Sequence, residues 1–260
     1  DEKVTGFPCV PTIMALLLQL ENLESEDFSS VRYLSNAAAA LPPSFIPRLQ
    51  RVFPNARIFA MYGQTECLRI CYLPPELINQ KPTSVGIAIP NSEIWLVDDH
   101  GRPVPKGEIG ELVFRGSNVM LGYWQDEEGT DRVLRAGRHP WERVLYTGDL
   151  FKLDTDGHLH FVSRKDDIIK TRGERVSPNE VENVIYSMEA VQSVRVIGIP
   201  DPILGQAIKA EVVLRDGHRL DDHAVKAHCR AHLEDIMVPK IVEFVAALPM
   251  SVGGKIRRKG

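Results

Sequence analysis

Residues 57–66 read Arg57-Ile58-Phe59-Ala60-Met61-Tyr62-Gly63-Gln64-Thr65-Glu66. The run over 57–61, apolar from Ile58 onward, predicts a buried strand, and the glycine and polar residues behind it predict the turn that ends it. Upstream, strand-like runs at 4–9 and 31–34 alternate with helical stretches at 12–20 and 45–52. That alternation predicts a mainly parallel sheet flanked by helices. Open sheets of this kind place ligands beyond the carboxyl ends of their strands, which makes 62–66 a candidate ligand-binding turn.

Working outward, the pattern changes twice. Over 84–162 it becomes short strands with period-two alternation, as at 93–97 and 110–115, separated by Gly, Pro and Asp. This predicts a small β-rich, barrel-like subdomain. Beyond Arg164, Ser177-Pro178-Asn179-Glu180 predicts a helix start. Ser177 caps the first N–H groups, Pro178 takes the first helical position and Glu180 completes a capping box. Val181, Val184, Ile185 and Met188 then fall on one helical face. Strands at 193–199 and 207–214, a helix over about 222–235 and a strand at 241–245 complete a small α/β domain. The fold class expected is α/β, α+β overall. It comprises a partial parallel-sheet subdomain at 1–83, a β-rich subdomain at 84–164 and a small C-terminal α/β domain at 165–260.

Composition excludes several function classes. Of 260 residues, 43% are hydrophobic and 25% charged, and the net charge of -4 has no basic block suited to nucleic acid. The apolar stretch 13–20 is too short to span a bilayer and lacks the flanks of a signal peptide, so it reads as a buried helix. Cys9, Cys67, Cys71 and Cys229 lack the close pairing of a zinc site and are too few for a disulfide scaffold, which points to a reducing cytoplasm. The start at Asp1, without an initiator methionine, gives the expectation of a piece from within a longer protein. His228 and His232 lie one helical turn apart without the glutamate of a zinc-protease helix, and no serine-hydrolase elbow is present.

Chemistry concentrates in a few short stretches: Tyr62-Gly63-Gln64-Thr65-Glu66, Tyr146-Thr147-Gly148-Asp149, Arg164-Lys165-Asp166-Asp167 and Gly253-Gly254-Lys255-Ile256. Asp149 follows a glycine turn, and its carboxylate is suited to accept both hydroxyls of a ribose. Lys255, flanked by glycine, can bring an ammonium to a phosphate and a carboxylate as negative charge builds between them. In order and spacing these stretches resemble the signature set of the adenylate-forming superfamily of acyl-CoA synthetases, peptide-synthetase adenylation domains and luciferases. The resemblance extends through Gly107-Glu108-Ile109-Gly110-Glu111-Leu112, Gly122-Tyr123-Trp124 and Lys170-Thr171-Arg172-Gly173-Glu174-Arg175-Val176-Ser177-Pro178, covering nearly the whole chain.

The resemblance implies roles for these residues. Tyr62 stacks on adenine in the same turn as Gly63 and Gln64, Thr65 contacts the α-phosphate, and Glu66 helps hold Mg²⁺. Arg164 joins Asp149 at the ribose, and Arg175 contacts phosphate. Asp166 is the hinge about which the small domain turns, and it falls where the sequence pattern changes. Lys255 carries adenylation, whereas Arg172 and Gly173 lie on the coenzyme A side. The adenine pocket reads Ala37-Ala38-Ala39 where the family commonly has Gly-Gly-Ala, and Ser163-Arg164 replaces the commoner Gly-Arg. The phosphate loop that grips the outer phosphates of ATP is expected upstream of Val4, in a missing half of the large domain.

The implied activity is ATP-dependent conversion of a carboxylic acid to acyl-AMP with release of pyrophosphate, followed by transfer to the thiol of coenzyme A. Two alternatives stand beside it: an adenylation enzyme that loads a carrier-protein phosphopantetheine, and a non-catalytic fragment that binds AMP or coenzyme A.

Overall fold

Strands β1 (Gly6–Cys9), β2 (Tyr33–Asn36) and β3 (Arg57–Tyr62) alternate with helices α1 (Pro11–Leu17) and α2 (Ile46–Val52). The strands pair in parallel, with Gly6, Tyr33 and Arg57 in register, and a helical crossover is the usual way to connect such strands. Helix α2 buries Ile46, Leu49 and Val52, one face at helical spacing. The computed structural model from which this description comes describes residues 3–36, 39–250 and 256–258. Helix α1 corrects the expectation of a buried helix across 13–20. It ends at Leu17, and it buries Met14 while Ile13, Leu16 and Leu20 are about half exposed. The described residues cover only one of its faces.

After β3 the sheet turns antiparallel. Strand β4 (Cys71–Tyr72) returns against β3, and β5 (Ser84–Ala88) pairs with β4. Then come β6 (Ser92–Val97), β7 (Ile109–Gly116), helix α3 (Glu127–Val133), β8 (Leu134–Ala136), β9 (Arg143–Leu153) and β10 (Leu159–Arg164). The resulting ten-stranded order is β1-β2-β3-β4-β5-β10-β9-β7-β6, with β8 beside β9. The β4–β5–β10 pairing therefore joins the parallel part to the β-rich part by continuous hydrogen bonding. Ile70, Cys71, Leu96, Leu112, Phe114, Leu145, Phe151 and Leu159 are buried in one apolar cluster, against which Tyr62 packs.

By compactness the chain divides into units Asp1–Val162 and Ser163–Gly260. In the second unit, β11 (Ile169–Thr171) and β12 (Glu174–Val176) form a hairpin, followed by α4 (Pro178–Tyr186), β13 (Val191–Asp201), β14 (Gly205–Leu214), α5 (Asp222–His232) and β15 (Ile241–Phe244). The sheet order is β12-β11-β14-β13, with β15 pairing in parallel to β14. Ser177 Oγ accepts the Glu180 N–H at 3.3 Å at the start of α4, and Asp221 Oδ1 accepts the Ala224 N–H at 2.7 Å at the start of α5. Val181 and Ile185 of α4 meet Val225 and Cys229 of α5 over the apolar face of the sheet. Each pair lies one helical turn apart, the spacing that aligns side chains on one face.

Candidate functional site

The turn after β3 is held by close backbone packing. A Cβ on Gly63 would lie 2.1 Å from the Leu68 carbonyl oxygen, so no other residue fits without moving backbone. Leu68 donates its N–H to Gln64 O at 2.7 Å, and Ile70 donates to Tyr62 O at 3.0 Å. These bonds close 62–70 into a compact loop and leave Thr65 exposed at its surface.

Two stretches far apart in sequence meet here. Tyr62 Oη donates to Asp149 Oδ2 at 2.7 Å, and Gln64 Nε2 donates to the same oxygen at 2.9 Å and to the Thr147 carbonyl at 2.8 Å. Asp149 is buried in β9, where the β7–β9 register shifts between Glu111 and Val113. Thr147 Oγ1 donates to Leu112 O at 2.8 Å, Gly148 N–H donates to Glu111 Oε1 at 3.1 Å, and Asp149 N–H donates to Thr147 Oγ1 at 3.2 Å. The carboxylate is thus fixed from both sides. Burial, followed by the neighbouring Asp149 charge, pushes the Tyr62 phenol well above its ordinary value, so it stays a hydrogen-bond donor. Its ring packs edge-on to Phe151, with centroids 4.7 Å apart.

Glu66 is held separately. Its Oε1 accepts a hydrogen bond from Tyr123 Oη, and its carbonyl accepts the Met120 N–H at 2.7 Å. Burial and the Glu66 hydrogen bond push the Tyr123 phenol up to about 12. With one carboxylate oxygen engaged by a neutral donor, Glu66 fits a site that offers Mg²⁺ a single carboxylate, which the ion accepts when phosphates and water complete its shell. Tyr123→Phe is expected to keep the fold, with a stability loss of about 1 kcal/mol.

The other expected residues fall as follows. Ala37 and Ala38 lie outside the described residues, and Ala39 is exposed, its carbonyl accepting Asn36 Nδ2 at 2.9 Å. Asn36 ends β2, and its Oδ1 is buried without a hydrogen-bond partner among the described residues. Lys255, with Gly253 and Gly254, also lies outside them. In the second unit, Arg164 O accepts the N–H groups of Asp167 at 3.0 Å and Ile168 at 3.2 Å, so Asp166 sits within a turn. Arg172 and Gly173 form the two-residue tip of the β11–β12 hairpin, with φ of +53° and +84°. Open space surrounds a Cβ at Gly173, so its backbone conformation, and not a close neighbour, favours glycine. Arg175 is exposed opposite Lys170.

Three contributors went unassigned in the sequence reading: Tyr123 behind Glu66, Glu111 behind Gly148, and Asn36. The first two sit inside stretches quoted above for their resemblance, but their partners are 57 and 37 residues away. Only the sheet order could have paired them.

Two other clusters lack the features of a reactive centre. Burial raises the thiol of Cys67 and pushes that of Cys71 up to about 12, so neither is a thiolate at neutral pH. Among the described residues, metal-ligand atoms gather only at Asp154, Asp156 and His158. There Lys81 Nζ already bridges Asp154 at 2.6 Å and Asp156 at 2.7 Å. Burial pushes the Asp154 carboxyl up, but Lys81, the His158 N–H and His160 outweigh it and hold the group well below the carboxylate range. A depressed carboxylate stabilises the fold above its unfolded pKa of about 4, and that contribution is lost as pH falls through the lower folded value. Asp154→Asn should therefore lower stability at pH 7 and flatten its decline in acid, as read by denaturant unfolding across pH.

Comparison with known proteins adds to this geometry. A family model described as "AMP-binding enzyme" matches residues 1–124, and one described as "AMP-binding enzyme C-terminal domain" matches 180–255. A long-chain-fatty-acid–CoA ligase of Salmonella typhimurium is 38% identical over 256 residues, 98% of this chain and 44% of the relative. A feruloyl-CoA synthase of an Amycolatopsis species is 37% identical over 98% of this chain and 51% of its own length. Among solved structures, the amide bond synthetase McbA of Marinactinospora thermotolerans superposes with a TM-score of 0.89 at 34% identity, over 99% of this chain and 52% of that one. The chain thus spans about half the length of the relatives it matches.

Proposed function

The chain belongs to the AMP-binding enzyme family of adenylate-forming proteins, and from that premise we propose that its protein activates a carboxylic acid with ATP and passes the acyl group to coenzyme A. The observation that carries this reading is the convergence of Tyr62 and Gln64 on the buried carboxylate of Asp149. An oriented carboxylate within β9, hydrogen-bonded to the end of β3, is suited to the ribose hydroxyls, and the turn after β3 exposes Thr65 toward phosphate. The Asn36 Oδ1 at the end of neighbouring β2 offers an acceptor suited to the adenine amino group.

In the first half-reaction a carboxylate oxygen attacks the α-phosphorus, the bond to the β-phosphate oxygen breaks, and pyrophosphate leaves. Lys255 stabilises the charge that builds on the reacting oxygens. Mg²⁺ held with Glu66 would neutralise phosphate charge. In the second, the thiol sulfur attacks the acyl carbon and AMP leaves as the acyl–oxygen bond breaks. Rotation of the small domain about Asp166 exchanges Lys255 for the Arg172–Gly173 side, with Arg164 and Arg175 contacting ribose and phosphate. Domain rotations of this kind turn on a few loop residues.

The names of the relatives favour coenzyme A over a carrier protein as acceptor. The acyl group is open, since those names include both a long-chain and an aromatic acid. The natural full-length protein should be assayed for acid-dependent ATP–pyrophosphate exchange across short, long and aromatic carboxylates. Coenzyme A, a carrier protein and an amine would then compete as acceptors. Exchange with one acid class and thioester formation on coenzyme A is the expected result. Exchange followed by transfer to the carrier protein or the amine alone would replace the acceptor proposed here.

A further inference from the structure

The segment on either side of 251–255 is tied down by groups that the proposed reaction leaves unused. Met250 and Ile256 pair antiparallel, and Arg257 donates its N–H to Pro249 O at 2.9 Å. Arg195 Nη1 donates to the Arg257 carbonyl at 2.6 Å. Arg195 is itself fixed by Glu211, whose other oxygen meets Lys209 at 3.0 Å. The next residue, Arg258, splits its guanidinium between two carboxylates. Nη2 donates to Glu182 Oε2, and Nη1 lies 3.9 Å from Asp167 Oδ2.

Glu182 is an unusual partner. It is buried on α4, and its other oxygen, Oε1, accepts the Val196 N–H of β13 at 2.8 Å. A carboxylate buried between helix and sheet costs solvation, and needs both a cation and hydrogen bonds to be tolerated. A flexible basic tail would not call for such a partner. Asp167 directly follows Asp166 in the turn closed by Arg164 O.

We propose that Arg258 is a positioning residue for adenylation. With Glu182 it fixes residues 256–258, which directly follow Lys255 in the chain, to α4, and through Asp167 to the turn containing Asp166. The planar guanidinium suits this use, since separate nitrogens serve separate carboxylates, which the point charge of lysine cannot do. The inference rests on the reading of Lys255 given above.

The test measures the two half-reactions separately in the natural full-length protein: ATP–pyrophosphate exchange for adenylation, and thioester formation from synthetic acyl-adenylate for transfer. Arg258→Met should lower the exchange kcat by about tenfold to hundredfold, the scale of a small misplacement of a reacting group, with little change in the KM for ATP. Thioester formation should be retained. Arg258→Lys should recover part of the exchange. The double variant E182Q/R258M leaves no unpaired buried carboxylate and should lose exchange as Arg258→Met does, with the melting temperature separating clamp loss from unfolding. Equal loss of both half-reactions, or exchange unchanged in the double variant, would overturn the proposal. Lys255→Ala run in parallel distinguishes the premises. If it leaves exchange intact, the reading of Lys255 fails. If it abolishes exchange while the Arg258 variants keep it, only the clamp fails.

Discussion

Lys255→Ala is expected to lower acid-dependent ATP–pyrophosphate exchange by about 10²–10³-fold, the usual effect of removing one charge-stabilising group from a reacting centre. Thioester formation from synthetic acyl-adenylate should continue. The asymmetry follows from the chemistry. During adenylation negative charge accumulates between two anions, the carboxylate and the α-phosphate, and a single ammonium offsets it. During thiol attack the phosphate is already part of the leaving group, and the proposed domain rotation has withdrawn the lysine. Quench-flow measurement of acyl-AMP formation would read the first step directly. Equal losses in the two half-reactions would show that Lys255 serves both, which would remove the division of labour.

Asp149→Ala should combine a functional and a structural loss. The carboxylate accepts Tyr62 Oη and Gln64 Nε2 on one oxygen inside the protein. Alanine strands both donors, each costing about 1–3 kcal/mol when buried unmade. A loss of about 3 kcal/mol would lower Tm by on the order of 10 °C in a protein of this size. Asp149→Asn separates the two effects. Its amide oxygen can still accept from Tyr62 or Gln64, so most of the stability should return. The charge does not return, so nucleotide affinity should stay low, measured by calorimetry with AMP. If Asn restored AMP binding as fully as stability, the ribose role of Asp149 would be wrong and its function would be that of a core hydrogen-bond acceptor.

What the sequence disclosed depended on how local the determinant was. Strand β3 and its turn were legible because the apolar run and Gly63 lie within ten residues of each other. The start of α4 was legible because Ser177, Pro178 and Glu180 satisfy local N–H groups. By contrast, β4 has two residues and is defined by backbone pairing to β3 and β5, for which no side-chain period exists. Helix α3 buries only Gly129 and Thr130, so it carries no apolar period, and it is set by Asp126 accepting the Gly129 N–H at 2.7 Å. The candidate site divides the same way. Each turn was readable as a polar, glycine-bearing stretch, but the bond from Tyr62 to Asp149 spans 87 residues and exists because β10 and β9 follow β5 in the sheet. Similarly, the buried partner of Arg258 lies 76 residues away on α4, so no local pattern in the sequence pairs the two.

The most direct measurement follows the nucleotide and acyl products by mass spectrometry when the natural full-length protein is given ATP, Mg²⁺ and a carboxylic acid, with coenzyme A added second. The account predicts acid-dependent release of pyrophosphate with acyl-AMP as the first product, then its conversion to acyl-CoA and AMP. Release of ADP and phosphate, or acyl-CoA formed without any acyl-AMP in the absence of thiol, would contradict it.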